Sequence, residues 1–200
     1  MATTSTESPA STRQRLLDAA AGLFLGQGAH ATSLEQVRQR AGVSNGSLYH
    51  HFASKAHLAQ ALYLQAMESY HAAMAAALQG TPPAAEGVRA LVARHIDWVL
   101  RHPQQARVLL HLRGATHVEG EAPDWAAVNA RAFEVLQTWI DAEVRAGRMH
   151  RMPFHLWLAL VLAPTMARSE AWLRHERPKV EAAERRWLAD AAARAVALGG

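Results

Sequence analysis

Thr32-Ser33-Leu34-Glu35-Gln36-Val37-Arg38-Gln39-Arg40-Ala41-Gly42-Val43-Ser44-Asn45-Gly46-Ser47-Leu48-Tyr49-His50-His51-Phe52-Ala53-Ser54-Lys55 reads as two short helices joined by a tight turn, with a third helix beginning where the stretch ends. Ser33, Ser44 and Ser54 each stand one residue before an expected helix, where a hydroxyl can accept from an orphan backbone N–H. Gly42 stands where the first of these helices stops and the chain has to turn, a place for a residue free to take positive φ. Leu34, Val37 and Ala41 make one buried face, and Leu48 and Phe52, four apart, make another. The second helix then turns Asn45, Ser47, Tyr49 and His50 outward.

Before this stretch, Leu16, Leu17, Ala20, Leu23 and Phe24 recur at helical spacing, so a helix starts near Ser11 or Thr12 and is expected to end at Gly26 and Gly28. After it, Lys55 to about Gln79 reads as one long helix, closed by the break Gly80-Thr81-Pro82-Pro83. Further helical stretches are expected at about 83–101, 103–114, 123–147, 153–176 and 179–198. Pro164 falls inside the fourth of these and should kink it. The expected fold is all-α with about nine helices. Residues 1–11 are expected to form a Ser/Thr/Ala/Pro-rich disordered tail, 12–54 a helix-turn-helix unit, 55–79 a connecting helix, and 80–200 a larger helical bundle.

Composition agrees with this. Of 200 residues, 50% are hydrophobic and 19% charged, the balance of a folded chain able to bury a sizeable core. A formal net charge of +4 is compatible with a polyanionic partner without establishing one. The absence of cysteine excludes disulfides, zinc–thiolate sites and thiol redox sensing by this chain. The longest apolar run, Phe154–Met166, is too short to span a bilayer, and the N-terminal residues carry no apolar signal core, so a cytoplasmic location without membrane contact is expected. No two of the twelve histidines are three or four apart, so no helix presents a paired metal site; His117 with Glu121, or Glu68 with His71, would be partial sites at best. No metal and no cofactor is expected.

In a helix-turn-helix, the N-terminal residues of the second helix reach base edges in the major groove. Asn45 offers the amide that matches the N6/N7 edge of adenine. Ser44 and Ser47 can bond a phosphate or a base, Tyr49, His50 and His51 can donate to phosphates, and Lys55 can add a charge contact. On spacing alone, the same residues also describe an ordinary corner between packed helices, with Tyr49 and His51 as packing groups. The run Gly42–Lys55, together with Thr32-Ser33-Leu34, Val37, and Leu23-Phe24 followed by Gly26 and Gly28, resembles the signature of the TetR/AcrR family of bacterial transcriptional regulators, over about residues 12–60.

That resemblance implies a homodimer on a palindromic double-stranded operator, each recognition helix in a major groove, and a small-molecule effector bound by the C-terminal helices. By position it implies Ser33, Tyr49, His51 and Lys55 as phosphate contacts, and Ser44, Asn45, Ser47 and His50, with Gly46 between them, as the groove-facing set. One departure stands out: position 45, often Lys or Arg in the family, is Asn here, so base preference does not carry over. Residues 1–60 hold only five Lys/Arg against three Asp/Glu, which leaves histidine protonation a part in affinity.

The resemblance also implies an effector pocket among the middle helices and a dimer interface on the last two. Candidate pocket residues are His95, Trp98, His111, Arg113, Phe133, Gln137 and Met166, bulky or amphipathic groups within apolar helices; an Arg or His inside would favour a ligand with an acceptor or an anionic group. His117 and Trp139 belong to the same set. Interface candidates are Trp157, Leu160, Val161, Pro164, Trp172, Trp187, Leu188 and Ala192. For each of these, filling the chain's own core is the alternative. An all-helical enzyme finds no support: there is no Ser/His/Asp arrangement, no Glu-x-x-His and no phosphate loop. A ligand-responsive repressor is the leading expectation, with a ligand-independent regulator, an activator or a helical interaction module behind it.

Overall fold

A serine begins each of the first four helices. In α1 (Thr12–Gln27), α2 (Leu34–Ala41), α3 (Asn45–His51) and α4 (Lys55–Ala77), the hydroxyl oxygens of Ser11, Ser33, Ser44 and Ser54 accept from the N–H of Gln14, Gln36, Ser47 and His57 at 3.1–3.2 Å. Each cap stabilises its helix by about 1 kcal/mol. At α2 the bond is reciprocated: Gln36 Oε1 accepts from the Ser33 N–H at 2.8 Å, closing a capping box.

The computed structural model describes residues 11–112, 125–176 and 178–198. Six more helices follow the first four: α5 (Ala84–Arg101), α6 (Pro103–Leu112), α7 (Trp125–Arg145), α8 (Phe154–Val161), α9 (Ala163–Leu173) and α10 (Ala182–Val196). Among the described residues there is no β-strand, only an isolated antiparallel bridge between Met149 and Ala197. The chain is all-α, as its composition implies. The tenth helix arises at Pro164. Lacking an N–H, Pro164 cannot continue a helix from α8, so α8 stops at Val161, Leu162 turns with φ −100°, and α9 starts with proline in its first turn. The expected kink is a break. At the other end of the chain, α1 runs through Gly26 and is closed by Gly28, at φ +88°.

The described residues fall into two units: 11–63 with His111 and Leu112, and 64–110 with 125–176 and 178–198. Helix α4 therefore contributes its first turns to one unit and the remainder to the other. In the N-terminal unit α1 packs on α2 and α3, and Leu16, Leu17, Phe24, Val37, Leu48, Phe52 and Leu58 are buried.

In the C-terminal unit α5 and α10 make the most extensive contact, with α8 and α9 packed on them. Trp157, Leu91, Ile96, Val88 and Val92 are fully enclosed. Gly87 on α5 lies under the indole of Trp139 so closely that a β-carbon there would overlap the ring, and Trp139 Nε1 donates to the Pro82 carbonyl at 3.0 Å. Glu143, almost fully buried, accepts from the Ala84 N–H at 2.8 Å and from Arg148 Nε at 2.7 Å, so the first turn of α5 is held by a paired carboxylate.

Candidate nucleic-acid interface and ligand pocket

The turn between α2 and α3 is held from both sides. Gly42 takes φ +63°, which lets its N–H reach the Gln39 carbonyl at 3.2 Å and the Val43 N–H reach the Arg38 carbonyl at 3.3 Å. The carbonyls of the turn accept from arginines: Arg15 Nη2 donates to Gly42 O and Arg38 Nη1 to Val43 O, both at 3.1 Å. Arg38 also pairs with Glu35 through Nε at 2.7 Å, an interaction that holds the Glu35 carboxyl down to about 2. Arg13 lies over the Phe52 ring, 5.7 Å from its centre. Of these arginine roles only the Arg38–Glu35 pair has a local, i,i+3 spacing; the others leave no mark in the sequence, because the partners are backbone atoms or lie far along the chain.

So fixed, α3 leaves Ser44, Asn45, Gly46, Tyr49, His50 and His51 exposed, with Ser47 half-buried and Leu48 pointing inward. Tyr49 is 53% exposed, a high value for an aromatic ring with no partner role in the core. A β-carbon at Gly46 would meet nothing within the chain, so the protein's own packing does not ask for glycine there. The rings of His50 and His51 meet edge to face at 5.2 Å. Ser33 and Ser44 spend their acceptor oxygens on helix caps, which leaves the hydroxyl protons to donate outward. Lys55 is tied down more than expected. Its ammonium donates to the His30 and Thr32 carbonyls at 3.1 and 3.0 Å, so it braces the α1–α2 loop and keeps one N–H for a phosphate.

The C-terminal unit contains a pocket of about 70 Å³ between α4, α5, α7 and α8. Met74, Leu78, Leu91, Leu136, Leu158 and Leu162 form its wall, Tyr70 and His71 supply the polar atoms, and the half-exposed Phe133 and Val135 stand at its rim. Of the candidate pocket residues, only Phe133 lines it. His95 and Trp98 are buried behind it and already bonded: Trp98 Nε1 donates to Ser69 Oγ at 3.0 Å, and His95 joins Tyr70 to Ser169. Gln137 and Met166 are exposed and outside the pocket, and His111 is exposed in the segment that groups with the N-terminal unit. Arg113 and His117 lie outside the described residues. The pocket residues of α4 were missed because Tyr70, His71 and Met74 look like any stripe of an amphipathic helix.

The His95 chain has a direction. Ser169 donates its hydroxyl proton to the Thr165 carbonyl at 2.9 Å, so its oxygen accepts from His95 Nε2–H at 2.9 Å. His95 Nδ1 is then the unprotonated nitrogen and accepts the Tyr70 hydroxyl at 3.0 Å. Burial holds the His95 imidazole neutral, its pKa lowered to about 4, and pushes the Tyr70 phenol up.

The interface candidates also divide. Trp157, Val161, Trp172 and Ala192 are enclosed within the chain's own core and have no surface to offer a second copy, which removes them from the expected interface. Leu160 and Pro164 are exposed, Trp187 is 76% exposed, and Leu188 is half-buried. Leu156 and Leu198, not picked out in the sequence, are exposed as well. No helix among the described residues is long and apolar enough to cross a membrane.

Residues 16–62 match the bacterial regulatory proteins of the tetR family. The chain is 27% identical to the HTH-type transcriptional activator FasR of Mycolicibacterium smegmatis, over 83% of its own length and 74% of that protein. It is likewise 27% identical to the HTH-type transcriptional repressor KstR2 of Mycobacterium tuberculosis, over 66% of this chain and 64% of that one. In fold it is similar to a TetR family transcription regulator from Marinobacter aquaeolei VT8, at a TM-score of 0.77 with 21% identity over 93% of this chain and 95% of that one. With a helix-turn-helix whose turn is pinned and whose second helix leaves its outer face exposed, the N-terminal unit carries the DNA-binding module of the bacterial regulatory proteins of the tetR family.

Proposed function

We propose that the chain acts in the cytoplasm as a homodimeric repressor that holds a palindromic operator and releases it when a small molecule enters the C-terminal pocket. The observation that carries this is helix α4. Leu58 on its first turns is part of the buried set of the DNA-binding unit, while Tyr70, His71 and Met74 further along the same helix line the pocket. A ligand that prefers one conformation of α4 acts on a helix to which both units contribute residues. The exposed Trp187, Leu160 and Leu156 support a second copy covering α8 and α10, because large apolar groups left in water favour association.

The reading of the operator rests on Asn45, with Ser44, Ser47 and His50 beside it; Tyr49, His51, Ser33 and the remaining N–H of Lys55 position the module on phosphates. The test is selection of bound duplexes from a random pool by the full-length protein, followed by fluorescence anisotropy at several salt concentrations. Two-fold related half-sites and a steep salt dependence are expected. Asn45→Ala should lose about 1–3 kcal/mol of discrimination at one base position per half-site while leaving non-specific affinity in place. A selected pool without two-fold symmetry would overturn the palindromic dimer. The activator reading draws on the name of the Mycolicibacterium relative. A reporter fused to a promoter containing the selected site separates the two: removing the protein raises expression under repression and lowers it under activation.

A further inference from the structure

The pocket between α4, α5, α7 and α8 sorts ligands by charge. Among the described residues, its lining is hydrocarbon apart from Tyr70 and His71. Neither offers a fixed charge. Tyr70 has its hydroxyl proton committed to His95 Nδ1, and burial holds His71 toward the neutral form against the opposing pull of its hydrogen bond to Asn129. A carboxylate or ammonium entering there would give up water without a counter-ion in return. At about 70 Å³ the space is less than half of the ~150 Å³ apolar cavity that holds a benzene ring, so it encloses the end of a chain and leaves the remainder at the exposed rim by Phe133 and Val135. Its depth is lined by Leu91, Leu136 and Leu162, and by Met74, a side chain able to reshape around a narrow guest.

We propose that the effector pocket takes an uncharged molecule with a slender aliphatic chain, the chain seated on Leu91, Leu136, Leu158 and Leu162 and a polar but un-ionised head at His71. This rests on the ligand-responsive reading above and deepens it. Of the two ligand kinds that an Arg or His in the pocket would favour, one with an acceptor or one with an anionic group, it keeps the first and sets aside the second. His95 does not meet the ligand; it is a positioning residue that fixes the Tyr70 phenol in the pocket wall through the chain from Tyr70 to His95, Ser169 and the Thr165 carbonyl.

Three probes with one chain length and different charge make the test: 1-octanol, octanoate and octylammonium, titrated into the full-length protein at pH 7.5 by isothermal calorimetry and by thermal shift. Octanol should bind at least tenfold more tightly than either ion. Ala132→Leu, which places a larger side chain in the pocket wall, should weaken octanol by tenfold or more. His71→Arg should reverse the order, with octanoate gaining at least tenfold over octanol; that gain cannot come from a misfolded variant. Octanoate binding wild-type protein as tightly as octanol, or octanol affinity indifferent to both substitutions, would overturn the proposal. DNA retention is measured separately on the same samples. Tight, substitution-sensitive octanol binding with unchanged retention upholds the ligand class and sinks release instead.

Discussion

The two units of this chain solve the same problem, how to hold short helices in place, by different means. The N-terminal unit does it with side chains bonded to backbone: four serine caps, two arginines on the carbonyls of one turn, and a lysine on the carbonyls of another. The C-terminal unit does it by burial, around Trp157, Ile96 and Leu91, with a few enclosed polar links between helices far apart in sequence, such as Glu143 to Ala84 and His95 to Ser169. The first strategy fixes geometry while exposing most of one short helix. The second gives up exposure and gains a core large enough to contain a pocket.

All six tryptophans lie beyond residue 63, so their fluorescence reads the C-terminal unit alone. The largest effect is expected from Trp157→Ala, which removes a fully enclosed indole and should lower stability by about 3–5 kcal/mol in urea unfolding followed by the remaining tryptophans. If the loss were under ~1 kcal/mol, burial would not be what holds this unit. Next comes acid. His95 is lowered to about 4 when folded, against ~6.5 for an unfolded histidine, so below pH 6.5 the unfolded chain binds the extra proton. Its contribution is present above pH 6.5 and is lost as pH falls toward 4, by on the order of 3 kcal/mol. His95→Gln should flatten the pH dependence of the urea midpoint across that window. A slope unchanged by the substitution would assign the acid sensitivity to other groups.

The smallest effect is expected at Gly42. An alanine there must hold φ near +63° with nothing crowding it, a backbone cost of about 1–2 kcal/mol. It should lower hydrogen-exchange protection of amides in α2 and α3 while leaving the tryptophan-detected midpoint nearly where it was. Equal shifts in both readouts would erase the contrast between the units.

That contrast also explains which parts could be read in the sequence. Ser33, Ser44 and Ser54 are caps because a hydroxyl and the amide three residues on are neighbours in the chain, and the turn at Gly42 is a local demand on φ. Such features leave marks at fixed spacing. The exposed face of α3 was legible for the same reason: Leu48 and Phe52 define the inward side, and Asn45, Gly46, Tyr49, His50 and His51 face out, with Ser47 between. Arg15 on Gly42 and Lys55 on His30 carry no such mark, since the partner is a carbonyl that every residue has. In the C-terminal unit, hydrophobic spacing identified helices but not which helix each would meet. Trp157 and Trp187 look alike in sequence, yet one is fully enclosed and the other 76% exposed. His95 was singled out as a ligand group because a histidine in an apolar helix signals a polar need; the need turned out to be met by Tyr70 and Ser169.

Gly87 and Trp139 show what such packing means for descent. The indole lies over the glycine with no room for one more carbon, and it is anchored there by its bond to Pro82. The two positions are therefore coupled by packing. A lineage that shrinks the ring first leaves a void that a methyl at 87 can later occupy, whereas the opposite order passes through an intermediate with two atoms in one place. The combination of alanine with tryptophan is the one that packing excludes, and a relative carrying alanine at the first position should carry something smaller than tryptophan at the second.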